Sequence, residues 1–135
     1  MTKNKIYGDR SEIALYVSQK IDQDIIINGD LTKMVWQSAV KSNRFVDMAD
    51  GGPAFNDTRA AVLWSSQKLY IAFWAEEPFV SATQTERDCL VFMENDLEVF
   101  IDGGDAYYEL EINALNTLYE VFFIWKDAYK KRGAF

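Results

Sequence analysis

The stretch "NDLEVFIDGGDAYYELEIN", residues 95–113, predicts a β-hairpin and with it the fold class. On both sides of a Gly-Gly pair, apolar side chains alternate with charged or polar ones, which is the two-residue period of strands with one buried face. Glycine adopts the positive φ angles of tight hairpin turns at little cost. We therefore predict a two-residue turn at Gly103-Gly104, with strands over 96–102 and 106–113 on either side.

One face of this hairpin carries many carboxylates. With the turn at the two glycines, Glu98 lies opposite Glu109 and Asp96 lies opposite Glu111, and like charges that face each other across strands are destabilising. The simplest interpretation is a solvated outer face, where water and salt screen the repulsion. Two functional alternatives are a hard cation such as Ca²⁺, which takes carboxylate oxygens, and a polyhydroxylated ligand, whose hydroxyls would bond to these carboxylates and to the amide of Asn113.

Similar patterns predict β-structure along most of the chain. Alternating and apolar runs bounded by turn residues favour strands, whereas Asp30, followed by apolar residues at helical spacing, favours one short helix. The predicted fold is all-β: an antiparallel β-sandwich of the immunoglobulin or jelly-roll type with a short N-terminal helix. Besides the two strands of the hairpin, the predicted elements are strands over 23–29, 58–65, 69–77 and 117–127 and a helix over 31–36.

Both sides of the segment 118–125 are apolar, which is typical of a strand in the interior of a sheet. An interior strand needs a neighbour on each edge, yet the sequence continues only to residue 135. We therefore expect residues 20–135 to be a truncated sandwich domain, preceded by an N-terminal arm, 1–19. Because an exposed strand edge can pair with another chain, we expect either a homodimer joined through this edge or a marginally stable monomer that tends to aggregate.

The composition excludes several classes of function. The net charge of −7 argues against nucleic acid and anionic membranes as partners, because both need a basic face. The absence of histidine removes His-based triads and His metal ligands, and one cysteine cannot form an internal disulfide. No apolar run approaches the roughly 20 residues of a membrane span. Without an apolar signal segment, the expected compartment is the cytoplasm, or the extracellular space if a leader was removed.

Three segments resemble family 9 carbohydrate-binding modules, in order and from about residue 25 to 125. "INGDLTKMVWQSA" is similar to the family's opening motif, and "TRAAVLWSSQKLYIAFWAEEP" to its central hairpin. "ENDLEVFIDGGDAYYELEIN" resembles its most typical segment, Asp-x-x-Glu-x-Phe-Ile-Asp followed by Tyr-Tyr-Glu and a closing Asn. The resemblance implies a β-sandwich that binds a poly- or oligosaccharide without cleaving it, and it implies structural calcium as the one expected cofactor.

The resemblance also implies which side chains contact the sugar. The Glu of the typical segment is Glu98 here, and the closing Asn is Asn113. The family's Arg two positions before that Asn is Glu111 in this chain, which reverses its charge. The position of the family's first sugar-stacking Trp holds Met93, beside Phe92, and the second stacking Trp comes from a later part of the family domain.

Three tryptophans are expected in the core. Trp64 and Trp125 lie in strongly apolar runs, and the family resemblance implies a core position for Trp36, at the end of the short helix. The strand face of Trp74 is less apolar than the opposite face, so we add Trp74 as a candidate ligand contact. The predicted ligand-binding residues are therefore Glu98, Glu111, Asn113, Phe92, Met93 and Trp74, with no catalytic residue and no assigned metal ligand.

Alternative functions remain open at this point. The domain could be a structural or interaction module with no retained sugar site. It could be a fragment of a glycoside-processing enzyme, in which Glu98 and Glu111 would act as a carboxylate pair. Haem binding, known in related sandwich folds, is disfavoured because the chain has no histidine.

Overall fold

The computed structural model describes residues 14–128, and the chain divides into two compact units, Met1–Glu76 and Glu77–Phe135. Both units are built around three-stranded sheets, and helix is almost absent from the described residues. The predicted all-β class is confirmed at this level. The first thirteen residues of the predicted N-terminal arm lie outside the described residues. No helix between residues 14 and 128 has the length and apolar character needed to cross a membrane.

The first unit contains a sheet of three strands in the order β1 (Gln19–Lys20), β2 (Thr58–Trp64) and β3 (Leu69–Ala75). β1 runs parallel to β2, and β2 and β3 form an antiparallel hairpin. The predicted strands over 58–65 and 69–77 are thereby confirmed to within two residues. The buried residues that pack together on this sheet are Trp36, Leu63, Tyr70 and Ala72.

The predicted helix over 31–36 is reduced to a single turn, α1 (Met34–Gln37). Asp30 does not cap it. Its Oδ1 atom instead accepts hydrogen bonds from the backbone N–H of Thr32, at 2.9 Å, and from the Thr32 hydroxyl, at 2.6 Å. Such a local side-chain turn competes with helical hydrogen bonding. The helix begins only at Met34, and the preceding N-cap residue, Lys33, makes no capping hydrogen bond with its side chain.

The predicted buried strand over 23–29 is wrong. The segment makes no strand, and Ile26 and Ile27 are 80% and 66% exposed. Within residues 23–29, only Ile25 packs against the core of the first unit. The carbonyl of Ile26 accepts a hydrogen bond from the ammonium group of Lys33, so a side chain occupies an acceptor that a neighbouring strand would have used.

The second unit contains an antiparallel meander of β4 (Asp96–Asp102), β5 (Ala106–Asn113) and β6 (Leu118–Ile124). β5 is the central strand. The predicted strands over 96–102 and 106–113 are confirmed at both ends, because alternating side chains on either side of a turn define a hairpin closely.

The turn of this hairpin lies one residue later than predicted. The backbone N–H of Gly103 donates to the carbonyl of Ala106 at 2.8 Å, so these two residues close the ladder. The central turn residues are therefore Gly104 and Asp105, and Gly104 has a φ of +88°. Glycine with positive φ at the first central position is typical of a type II′ turn.

Moving the turn by one residue shifts the strand register by two. Glu98 lies opposite Glu111, and Asp96 lies opposite Asn113. A shift of two residues keeps every side chain on its original face, whereas a shift of one would reverse all of them. The predicted assignment of side chains to the two faces is therefore correct. The acidic residues lie on one face, and the opposite face is formed by Leu97, Val99, Leu110 and Ile112.

The prediction that β6 is an interior strand is not met among the described residues. Among the described residues it pairs only with β5, so it is an edge strand there. Of the three tryptophans expected in the core, Trp36 is confirmed at 3% exposed, whereas Trp64 is 40% and Trp125 is 50% exposed. An apolar pattern on both sides of a strand does not separate an interior strand from an edge strand that carries an aromatic face. The homodimer stays a prediction.

Gly104→Val should destabilise the chain by about 1–3 kcal/mol, because a branched side chain is strained at positive φ. Urea denaturation of the whole chain measures this loss. Gly103→Ala is the matched control, because its φ is ordinary and its new Cβ would meet only the Ala106 carbonyl oxygen, at 3.2 Å. A loss at Gly103 equal to or larger than that at Gly104 would contradict the turn assignment.

Candidate functional site

Three carboxylates meet on the acidic face of the second unit: Asp96, Glu98 and Glu111. One oxygen from each lies within 4.8 Å of an oxygen of the other two. The strand register causes this, because Glu98 and Glu111 are directly paired across β4 and β5, and Asp96 precedes Glu98 by two residues on the same side of β4. We call these three residues the carboxylate cluster.

The cluster runs from the protein interior to its surface. Glu111 is 1% exposed, Asp96 is half-buried and Glu98 is exposed. Two of the oxygens, Oε2 of Glu111 and Oδ2 of Asp96, are buried and have no hydrogen-bond partner. Buried polar atoms in folded proteins are nearly always hydrogen-bonded, so these two oxygens set the cluster apart from an ordinary solvated face.

The surroundings of the carboxylate cluster disfavour the ionised form of all three carboxyl groups. Burial, a side-chain hydrogen bond with Glu109 and the charges of Glu98, Asp96 and Glu109 together raise the pKa of Glu111 to about 7. Burial also raises the pKa of Asp96, and burial together with adjacent acids raises that of Glu98. Described ion pairs involve other acids, among them Asp57, Asp24, Asp88 and Glu120.

Asn113 lies beside the cluster and is buried, with 5% of its surface exposed. Its Nδ2 donates to the carbonyl of Gln84, at 2.8 Å, and to the carboxylate of Glu94, at 2.7 Å. Its Oδ1 accepts from the backbone N–H groups of Leu115, at 3.0 Å, and Thr117, at 2.9 Å. An asparagine amide has two donors and two acceptor positions, so Asn113 has no free hydrogen-bonding group for a ligand.

Glu94 is the second residue of this buried network. Its two oxygens accept hydrogen bonds from Thr83, Gln84 and Asn113. Burial opposes the charge on Glu94, but these hydrogen bonds outweigh burial and hold its pKa below the ordinary value. The contrast with Glu111 is chemical: both are glutamates, but the hydrogen bonds to Glu94 stabilise its ionised form, whereas Oε2 of Glu111 receives none.

The predicted aromatic contacts separate into two groups. Phe92 lies in the short 3₁₀ turn Val91–Met93, is 45% exposed, and meets Tyr119 edge-on at 5.6 Å between ring centroids. Tyr119 is the partner of Glu111 across β5 and β6, so Phe92 lies on the side of the sheet that carries the cluster. Met93, in the same turn, is 73% exposed.

Trp74 belongs to the first unit, whereas the other predicted ligand-binding residues belong to the second. It packs against the core of its own unit. The ammonium group of Lys41 lies 3.9 Å from the centre of its ring, a distance typical of a cation–π contact. The surroundings of Trp74 are therefore those of a packing residue.

A group of aromatic rings on the acidic face was missed by the sequence analysis as a site feature. Tyr107 stacks on Phe123, with 4.7 Å between centroids, and contacts Trp125 at 5.2 Å and Phe100 at 6.1 Å. Phe100, Phe123 and Trp125 are 56%, 41% and 50% exposed. The alternation of side chains in "YEVFFIW" places Phe123 and Trp125 on one face of the strand, but only the pairing of β5 with β6 shows that these rings meet Tyr107. We call the four rings the aromatic ladder.

Comparisons of the chain with models of protein families, with curated proteins and with solved structures found no match. The residues and geometry of the chain therefore carry the functional argument.

In the presence of a chelator, the free energy of unfolding should fall as the pH rises from about 5 to about 8. Between the ordinary value of 4.5 and the pKa of about 7, Glu111 holds more proton in the folded than in the unfolded chain, so stability decreases with pH. Each unit of pKa difference corresponds to about 1.4 kcal/mol. The chain has no histidine, so no imidazole contributes in this range. Urea denaturation at several pH values measures the slope.

Glu111→Gln is the matched variant for this experiment, because it keeps the size of the side chain and removes the titrating carboxyl. Its stability should depend less on pH, and at about pH 8 it should exceed that of the wild type, since no unpaired charge remains buried at this position. Parallel pH profiles for the two proteins would contradict the assignment.

Asn113→Ala should destabilise the chain by about 2–4 kcal/mol, because it removes several buried hydrogen bonds that each contribute about 0.5–1.5 kcal/mol. The exposed Asn43→Ala is the control and should change stability by less than about 0.5 kcal/mol. Urea denaturation compares the two. Similar small losses in both variants would show that the Asn113 network contributes little.

Proposed function

We propose that this chain is a non-catalytic carbohydrate-binding domain of the family 9-like type, and that the acidic and aromatic face of the β4–β6 sheet is its sugar-binding surface. The observation that carries the proposal is the aromatic ladder, because partly exposed rings lie on the same face as an exposed carboxylate, Glu98.

This combination suits the chemistry of sugars. The apolar C–H face of a pyranose ring packs on an aromatic surface, and its hydroxyls donate hydrogen bonds to carboxylate oxygens. Ligand sites typically combine apolar walls with a few well-oriented polar groups. The ladder would supply the wall, and Glu98, the exposed member of the cluster, would supply the acceptors.

The contact residues in this proposal differ from those implied by the family resemblance. Phe123 and Trp125 take the stacking role, and Phe92 and Met93 flank the same face from the 3₁₀ turn. Glu111 and Asn113 are buried, so they would shape and orient the surface without touching the sugar. Membership of the family and the β-sandwich fold class stay part of the proposal.

The electrostatics also favour a neutral, hydroxyl-rich partner. The chain carries a net charge of −7, and the cluster and Glu109 add local negative charge to the proposed surface. A nucleic acid or an anionic membrane would be repelled from this face, whereas a neutral oligosaccharide would not.

A glycosidase is the weaker alternative. Retaining and inverting enzymes need two carboxyl groups about 5–5.5 Å and about 6.5–9.5 Å apart, both in contact with the substrate. Glu98 is exposed, but Glu111 is 1% exposed. A carboxyl that is almost fully buried cannot protonate a glycosidic oxygen, and we therefore propose no catalytic residue.

An oligosaccharide array, probed with the whole chain both in the presence of Ca²⁺ and in chelator, tests the proposal. The strongest binder is then measured by titration calorimetry. Phe123→Ala should weaken its binding about tenfold, which corresponds to about 1.4 kcal/mol, and Glu98→Gln should weaken binding more than it weakens folding.

Phe122→Ala is the matched control, because Phe122 is the neighbouring residue of β6, is 63% exposed and points to the opposite face. It should leave the affinity within about twofold, a change of less than about 0.5 kcal/mol. Equal losses in both phenylalanine variants, or no glycan bound under either condition, would overturn the proposal and favour a structural or interaction role.

A further inference from the structure

We propose that Asn28 is a site of self-modification. Its side chain loses the amide nitrogen as ammonia and becomes aspartate or isoaspartate, through a succinimide ring that the backbone nitrogen of Gly29 closes. Lys33 assists the reaction by binding the side-chain oxygen of Asn28. The site lies in the first unit, whereas the proposed sugar surface lies in the second, so the inference does not depend on glycan binding.

The sequence singles out Asn28 among the asparagines. Asparagine is a thermolabile residue, because the backbone nitrogen of the next residue can attack its side-chain carbonyl carbon. A side chain on that next residue hinders the attack. Asn28-Gly29 is the one Asn-Gly pair in the sequence. The other asparagines are followed by residues that carry side chains: Lys5, Arg44, Asp57, Asp96, Ala114 and Thr117.

The attacking nitrogen of Gly29 is accessible. Asn28 and Gly29 are both exposed, and even an added Cβ at Gly29 would meet no atom within 4 Å. Gly29 has a φ of +74°, a region that glycine enters without steric cost. Among the described residues, no acceptor is hydrogen-bonded to the backbone N–H of Gly29. The nitrogen therefore gives up no hydrogen bond when it attacks.

Two donors converge on the carbonyl that is attacked. The Oδ1 atom of Asn28 accepts a hydrogen bond from the ammonium group of Lys33, at 2.6 Å, and one from the backbone N–H of Asp30, at 3.3 Å. The attack turns this oxygen into an oxyanion, which donors already aimed at it stabilise. The bond from Lys33 is the stronger of the two, because its donor is charged.

The surroundings of Lys33 keep its ammonium group beside Asn28. Lys33 is half-buried and directly precedes α1, and its Nζ atom also donates to the carbonyl of Ile26. The carboxylate of Asp30 is close enough to interact electrostatically with Lys33, but its Oδ1 atom is hydrogen-bonded to Thr32. Asp30 therefore does not draw the ammonium group away from Asn28.

The reaction needs only water and a base from the solvent. The base takes the proton of the Gly29 nitrogen, which forms a bond to Cγ of Asn28. The bond from Cγ to Nδ2 then breaks, and the leaving nitrogen takes up a proton and departs as ammonia. Water opens the ring at one of two bonds: cleavage between Cγ and the Gly29 nitrogen gives aspartate, and cleavage of the original peptide bond gives isoaspartate. Either product adds one negative charge beside Lys33.

Incubation of the whole chain in a mildly alkaline buffer, followed by proteolysis and mass spectrometry, tests the inference. The peptide that contains Asn28 should exchange its NH₂ group for OH. Asn43, which is also exposed but is followed by Arg44, is the internal control and should remain an amide over the same period. If Asn28 reacts no faster than Asn43, the site is wrong.

Lys33→Met tests the role of the ammonium group, because it keeps an unbranched side chain and removes the donor. It should slow the reaction of the folded chain about tenfold, less than the roughly hundredfold effect of an oxyanion donor in a water-excluded site, because Asn28 is exposed. Lys41→Met is the matched control, since Lys41 belongs to the same unit but contacts Trp74. It should leave the rate unchanged.

The same three proteins are also compared in guanidinium chloride, which removes the folded arrangement of donors. All three should then react at one rate, below that of the folded wild type. Equal rates for Lys33→Met and the wild type in the folded state would overturn the role of Lys33. A wild-type chain that reacts as fast unfolded as folded would overturn it as well.

Discussion

The central position of β5 is the constraint on which the second unit depends. β5 has a hydrogen-bonded neighbour on each edge, so its register is held from both sides and each side chain is committed to one face. Tyr107, Glu109, Glu111 and Asn113 therefore share a face. Along a single strand this face changes from aromatic to acidic to amide. On the neighbouring strands, Phe123 lies beside Tyr107, Glu98 beside Glu111, and Asp96 beside Asn113.

Two buried polar side chains of β5, Asn113 at its end and Glu111 in its middle, differ in how fully they are hydrogen-bonded. Asn113 uses all of its hydrogen-bonding capacity and joins β5 to Gln84, Glu94 and the turn before β6. Glu111, two residues earlier, leaves an oxygen without a partner, and a buried group of this kind costs about 1–3 kcal/mol. The well-bonded network of Asn113 thus lies directly beside a cluster whose burial is itself destabilising.

Strand alternation made the hairpin, its bounds and the assignment of side chains to its two faces predictable. That assignment was correct although the turn was predicted one residue too early, because the resulting register error was an even number of residues. The turn itself was ambiguous, since Gly-Gly and Gly-Asp both suit a tight turn. Long-range contacts could not be predicted: Asn113 meets Gln84, 29 positions away, and the burial of Glu111 follows from folding, not from its own pattern. The exposure of Trp125 was missed because an apolar pattern does not say which apolar residues acquire neighbours.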